Sequence, residues 1–224
     1  MSSVFDTRVD AELLAGMRLA RTAIAKGSLV VIPTDTVYGI AADAFSTGAV
    51  SALLAAKGRG RQSPPPVLIP GIQTLPALAA HVPDQLSALA EAFWPGGLTV
   101  VVDAQPSLAW DLGDTHGTVA LRVPAHPIAL ELLAETGPLA VSSANLTGSP
   151  AAQTAAAAFE QLGSSVDVYL EAGESATAAS TIVDVTALMR GTGAARILRD
   201  GAISSAALRD VLGDDLEPAT DRLV

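Results

Sequence analysis

The strongest constraint on this chain is a series of short aliphatic runs, each separated from the next by a segment with helical spacing. Leu29-Val30-Val31-Ile32 ends at Pro33, and Val67-Leu68-Ile69, Leu98-Thr99-Val100-Val101-Val102 and Val119-Ala120-Leu121-Arg122-Val123 continue the series. Runs of this length, rich in β-branched residues, read as buried strands. Leu139-Ala140-Val141, Val166–Leu170, Thr181–Val185 and Arg196–Leu198 extend it. Over 10–27, Leu13, Leu14, Met17, Ala20 and Ile24 recur at helical spacing, with Asp10 as candidate N-cap and Gly27 just past the end. Thr47 is the expected cap of a second helix that stops at Gly58, and helices are predicted over 74–80, 84–93, 128–134, 154–162 and 204–212. Strands and helices alternate without a one-to-one order, which predicts an α/β domain with a mixed sheet covered by helices. The expected domain runs over 10–212, followed by an acidic tail at 213–224 that carries Asp214, Asp215, Glu217 and Asp221.

Composition narrows the chemistry. With 224 residues, half of them apolar, the chain can bury a core, and disorder is excluded. The absence of cysteine removes disulfides, thiolate zinc sites and cysteine nucleophiles, and His81, His116 and His126 lack i,i+4 ligand spacing. No apolar stretch reaches the roughly 18 residues of a membrane span, and the first ten residues lack the basic flank and apolar block of a signal peptide. These features predict a soluble cytoplasmic protein. The net charge of -10 opposes a generic nucleic-acid binder, yet Lys57, Arg59 and Arg61 fall within five positions. Such a cluster in an acidic chain is either an anion site or a solvated loop.

Hydroxyl and basic residues gather just after the predicted strands, where binding loops usually lie. Thr34 and Thr36, two apart in Pro33-Thr34-Asp35-Thr36-Val37-Tyr38-Gly39, would point the same way from an extended segment, with Asp35 opposite. Lys57-Gly58-Arg59-Gly60-Arg61-Gln62-Ser63-Pro64-Pro65-Pro66 combines cations with glycines that let a backbone approach a ligand, but it lacks the P-loop spacing. Ser142-Ser143-Ala144-Asn145-Leu146-Thr147-Gly148 offers small donors without bulk. No G-x-S-x-G elbow surrounds Ser142, so serine-hydrolase chemistry is not indicated.

Seven motifs then carry a resemblance. Pro33–Gly39, Lys57-Gly58-Arg59, Pro95-Gly96-Gly97-Leu98-Thr99, Leu121-Arg122-Val123-Pro124, Ser143–Gly148, Ser180-Thr181-Ile182-Val183-Asp184 and Ile197-Leu198-Arg199-Asp200-Gly201 occur in that order over most of the chain. The sequence resembles the YrdC-like family of threonylcarbamoyl-adenylate synthases. The resemblance implies a single YrdC-like domain with a twisted mixed sheet and a concave, positively lined groove. It also implies condensation of L-threonine, bicarbonate and ATP into threonylcarbamoyl-AMP, with release of pyrophosphate. The product would pass to a tRNA threonylcarbamoyl transferase complex that modifies adenosine 37 of tRNAs reading codons that start with A.

Carried over by position, Lys57 and Arg59 become the catalytic pair at the triphosphate, with Mg²⁺ bridging phosphate oxygens. Arg61, Thr118, Ser142, Asn145 and Arg196 surround the nucleotide. Thr34, Thr36, Tyr38, Arg122, Ser143, Ser180 and Thr181 fall to the amino acid, with Arg122 facing its carboxylate. No protein-held metal ligands are implied. The segment Gln62–Pro66 departs from the lysine-proline or histidine-containing stretch of many members, and Arg61 is the candidate replacement. Two other readings compete with the enzyme. An RNA-binding module would use the same groove, weakly and without chemistry, and would show steeply salt-dependent affinity. A carbamoyl transferase would need fused regions that these 224 residues do not contain.

Overall fold

The computed structural model describes residues 2–176 and 178–218. Strand β1 (Ser3–Asp6) precedes helix α1 (Asp10–Ala25), β2 (Val30–Ile32), β3 (Gly39–Asp43), α2 (Thr47–Ala56), β4 (Val67–Leu68), α3 (Leu75–Leu78) and α4 (Asp84–Phe93). The second half holds β5 (Leu98–Asp103), β6 (Thr118–Arg122), α5 (Pro127–Thr136), β7 (Leu139–Ser143), α6 (Ala155–Leu162), β8 (Val168–Glu171), β9 (Thr181–Asp184), α7 (Thr186–Met189), β10 (Arg196–Arg199) and α8 (Ser205–Leu212). The strands form one mixed sheet in the order β1-β8-β2-β3-β7-β4-β6-β5-β9-β10. Pairs β1–β8, β8–β2, β4–β6 and β5–β9 are parallel, and the remaining five are antiparallel.

The uninterrupted apolar run at β2 has a direct cause. Val30 and Ile32 pack with residues of α1 and α5, while Val31 faces the other way into a cluster with α2 and α6. A strand covered on both faces has no position left for a polar residue. A third cluster joins β5, β6 and β9 to α4 and α8.

Several expectations are corrected locally. Asp10 lies inside the first turn of α1, and the preceding Val9 makes no side-chain cap. Ser46, not Thr47, caps α2: its Oγ accepts from Ala49 N at 3.3 Å, because Ser46 is the residue with extended backbone. Thr34–Val37 bends instead of extending, so Asp35 does not point away from the threonines. The fold also continues past Leu212. Gly213–Asp215 forms a 3-10 turn, Leu216 is buried, and Ala195 N donates to Asp215 O at 2.7 Å while Glu217 N donates to Ala195 O at 2.8 Å. Residues 219–224 of the expected acidic tail lie outside the described residues. Among the described residues, no helix is long and apolar enough to cross a membrane.

Candidate active site

Loops following β2, α2 and β7, the segments leading into β6 and β9, and strands β5, β6, β7 and β10 meet around a cavity of about 420 Å³, a size typical of small-molecule sites. Arg59, Arg122 and Arg199 supply its charge, and among the described residues no carboxylate lines it. Hydroxyls of Thr34, Thr36, Thr99, Thr118, Ser142, Ser143 and Ser180 alternate with apolar walls from Pro64–Pro66, Leu112, Val119 and Ile182.

At one end, Arg122 is nearly fully buried, 6% exposed, and held on three sides. Its Nε donates to Gly96 O at 2.8 Å, one terminal nitrogen to Thr36 Oγ1 at 2.8 Å and the other to Asp35 Oδ1 at 2.7 Å. Asp35 Oδ1 also accepts from Ala125 N at 2.8 Å. The bend at 34–37 explains why Asp35 and Thr36 reach the same guanidinium. Burial pulls the Arg122 pKa down and Asp35 pulls it up, while the Arg199 charge adds a further downward push. Two of the five guanidinium N–H groups remain for a ligand, enough for a carboxylate.

The other end is looser. Arg59 Nε donates to Thr147 Oγ1 at 3.1 Å, and its Nη1 to Ser142 Oγ at 3.3 Å. Arg199 donates to Ser180 O and, at 2.9 Å, to Ser180 Oγ, which also shares a 2.8 Å bond with Thr99 Oγ1. Burial lowers the Arg199 pKa, and the Arg59 charge lowers it further. Three cations pressing on one another around a carboxylate-free cavity make an anion site. Gly201 is required here, since a Cβ would sit 2.4 Å from Ala179 O and push apart the backbone that carries Ser180.

The structure brings nine of the fourteen sequence-predicted residues to this cavity: Thr34, Thr36, Tyr38, Arg59, Thr118, Arg122, Ser142, Ser143 and Ser180. Tyr38 reaches it without its hydroxyl. That group donates to Gly173 O at 2.6 Å, lies 3.1 Å from Glu171 Oε1 and accepts from Ala172 N, and burial pushes its pKa well up.

Five predicted residues do not line this cavity. Lys57 is fully buried (0% exposed); its Nζ donates to Ser143 O, to Asn145 O at 2.7 Å and, weakly, to Asn145 Oδ1. Burial, aided by the Arg59 charge, pulls its pKa down to about 8. Asn145 itself donates to Leu146 O and Ser149 O. Lys57 and Asn145 together brace the turn that presents Ser142 and Ser143. Arg61 pairs with Asp111 through two 2.9 Å bonds and reaches Asp114 at 3.4 Å, so it does not replace a contact inside the cavity. Thr181 Oγ1 donates to Ile203 O and accepts from Ile203 N. Arg196 is exposed and lies 3.7 Å from Asp184.

Sequence reading missed Arg199, which stands where Arg196 was expected. A register shift between Ile197 and Arg199 breaks the alternation of β10, so counting by twos from Arg196 misplaces the inward side chain. The signal that could have found it is the glycine two residues later in Arg199-Asp200-Gly201.

The family model described as "Sua5_yciO_yrdC: Telomere recombination" matches residues 22–201. The chain belongs to this family.

A Mycobacterium leprae member named "Putative threonylcarbamoyl-AMP synthase" is 53% identical over 214 residues, 95% of each chain. The threonylcarbamoyl-AMP synthase of Pyrococcus abyssi is 36% identical over 172 residues, which cover 76% of this chain and 51% of that protein. The crystal structure of P. abyssi Sua5 complexed with L-threonine superposes with a TM-score of 0.85 at 30% identity, covering 98% of this chain and 63% of that one. The expected family and mixed α/β fold are thereby borne out.

Proposed function

We propose that this family member is an L-threonylcarbamoyladenylate synthase that uses ATP and L-threonine. The observation that carries the reading is the pairing, in one cavity, of a buried Arg122–Thr36 corner with two more exposed arginines, Arg59 and Arg199. The first suits the carboxylate end of an amino acid, and the second suits a polyphosphate. Similarity to synthases so named, and to a threonine-bound relative, supports the same assignment.

The chemistry divides into two steps. Bicarbonate carbon joins the threonine nitrogen with loss of water, giving a carbamate. A carbamate oxygen then attacks the α-phosphorus of ATP, the bond to the β-phosphate oxygen breaks, and pyrophosphate leaves. This displacement depends on positioning and charge neutralisation more than on a protein nucleophile. Arg122 anchors the threonine carboxylate, and Thr36 lies against the reacting end. Arg59 and Arg199 neutralise the departing pyrophosphate, with Ser142 and Thr118 as hydrogen-bond partners of the nucleotide. Thr118 already donates to Thr115 O at 2.8 Å, so it meets a ligand as an acceptor.

Lys57 acts in this scheme by shaping the Ser142–Ser143 turn. A lining without carboxylates does not fit a protein-held divalent cation. Mg²⁺ therefore belongs to the substrate, carried on the ATP phosphates. The product would serve a tRNA threonylcarbamoyl transferase complex in the cytoplasm. RNA binding is disfavoured by the net charge of -10 and by only 4% aromatic residues for stacking.

The test is direct. Purified protein with Mg-ATP, bicarbonate and L-threonine yields threonylcarbamoyl-AMP and one pyrophosphate per product, read by mass spectrometry and a coupled pyrophosphate assay. No product, together with no binding of ATP or threonine, would refute the reading.

A further inference from the structure

The hydroxyl pair at the Arg122 corner has a fixed direction. Thr34 Oγ1 lies 2.7 Å from Val37 O, a carbonyl that can only accept, so the single Thr34 hydroxyl proton goes there. The 3.0 Å contact between Thr34 Oγ1 and Thr36 Oγ1 must then be made by the Thr36 proton. Thr34 Oγ1 also accepts from Thr36 N at 3.2 Å, which fills its acceptor side. Thr36 Oγ1 has given its proton to Thr34 and accepts one bond from Arg122 at 2.8 Å. It is left with one lone pair and no proton, at a surface that lines the cavity.

We propose that Thr34 is a positioning residue: by taking the Thr36 hydroxyl proton, it makes Thr36 Oγ1 an obligate acceptor. The corner then selects a ligand that brings a carboxylate to Arg122 and an N–H donor to Thr36. An α-amino acid has both groups on adjacent carbons. A 2-oxo acid of the same length has the carboxylate, but its carbonyl oxygen would face the Thr36 lone pair. Two opposed lone pairs in a buried site cost the full desolvation of both groups. The inference deepens the proposed function by naming how the amino group is read, and it rests on that reading for the identity of the amino acid.

The experiment compares L-2-aminobutanoate with 2-oxobutanoate, which share a carbon skeleton, by calorimetric titration of the wild type, Thr34→Val and Thr34→Ser. No turnover is needed. The wild type should favour the amino acid. Thr34→Val frees the Thr36 proton and should shrink that preference by roughly five- to ten-fold, the worth of one hydrogen bond. Thr34→Ser keeps the hydroxyl and should restore it. In the complete reaction, Thr34→Val should raise KM for L-threonine by a similar factor, and Thr34→Ser should bring it back toward wild type.

Equal affinity of the wild type for the two ligands would overturn the proposal, whatever the variants do. So would an unchanged preference in a folded Thr34→Val, or failure of Thr34→Ser to restore it. If the wild type prefers the amino acid, yet makes no threonylcarbamoyl-AMP, the reaction assignment falls and the hydrogen-bond direction stands.

Discussion

The two ends of the cavity are built differently. At the Arg122 end every partner is in place before a ligand arrives: Gly96 O, Thr36 and Asp35 hold a guanidinium that is only 6% exposed. At the other end Arg59 is half-buried and held only by two hydroxyls, Thr147 at 3.1 Å and Ser142 at 3.3 Å, while Arg199 is exposed and anchored on one residue, Ser180, through its carbonyl and hydroxyl. The contrast suits the two ligand parts assigned to them. A small rigid carboxylate is best met by a prebuilt fork, whereas a long flexible polyphosphate is met by side chains that adjust.

Removing the prebuilt fork should do the most damage. Arg122→Met leaves Asp35 without its cation in a nearly buried site, and is expected to cost about 3–5 kcal/mol of stability in urea unfolding. It should also abolish threonine-dependent pyrophosphate release. Wild-type stability together with a wild-type threonine KM would break the claim that this corner is preorganised.

The brace between the two ends should come next. Lys57→Met deprives Ser143 O and Asn145 O of their shared donor and should lower turnover by roughly ten-fold. It also has a pH signature. Native Lys57 releases its proton near pH 8, while unfolded lysine keeps it to about 10.5. Between those values the unfolded chain binds more protons, so this group makes stability rise with pH; below about 8 both states are protonated and the slope vanishes. Urea midpoints of the wild type and Lys57→Met, compared from pH 7 to 10.5, should differ by that slope. Parallel profiles would show that Lys57 is not held as described.

The adjustable end should show milder, more selective losses. Arg199→Ala is expected to raise KM for ATP by roughly ten-fold or more, with little change in KM for threonine. Arg196→Ala, which removes an exposed side chain 3.7 Å from Asp184, should stay within about two-fold of wild type. The reverse order would return the nucleotide to Arg196 and undo the distinction between the two faces of β10.

How far the sequence could be read follows from the same physics. Helices with apolar spacing were legible: α4 spans the expected 84–93, and Thr154 and Ser204 cap α6 and α8. Strand β3 was not, because Gly39-Ile40-Ala41-Ala42-Asp43 has little β-branched character and is made a strand by β2 and β7 on either side. Strand β1, four residues paired only with β8, was missed for a similar reason. Within the site, Thr36, Arg59, Arg122 and Ser142 were reached through the family resemblance, and the structure places all four in the cavity. Lys57 and Asn145 sit in the same motifs, yet face inward to brace a turn. Side-chain direction at a loop is a tertiary fact, and for Arg199 a single register shift hid it.

On this reading one cavity holds the threonine carboxylate at Arg122 and the ATP phosphates at Arg59 and Arg199. A crystal structure with L-threonine and α,β-methylene ATP tests it most directly. The carboxylate is expected on Arg122 beside Thr36, and β- and γ-phosphate oxygens within hydrogen-bond distance of Arg59 and Arg199, with Arg61 and Arg196 still on their aspartates. A nucleotide bound outside this cavity, or phosphates on Arg196 with Arg199 turned away, would contradict it.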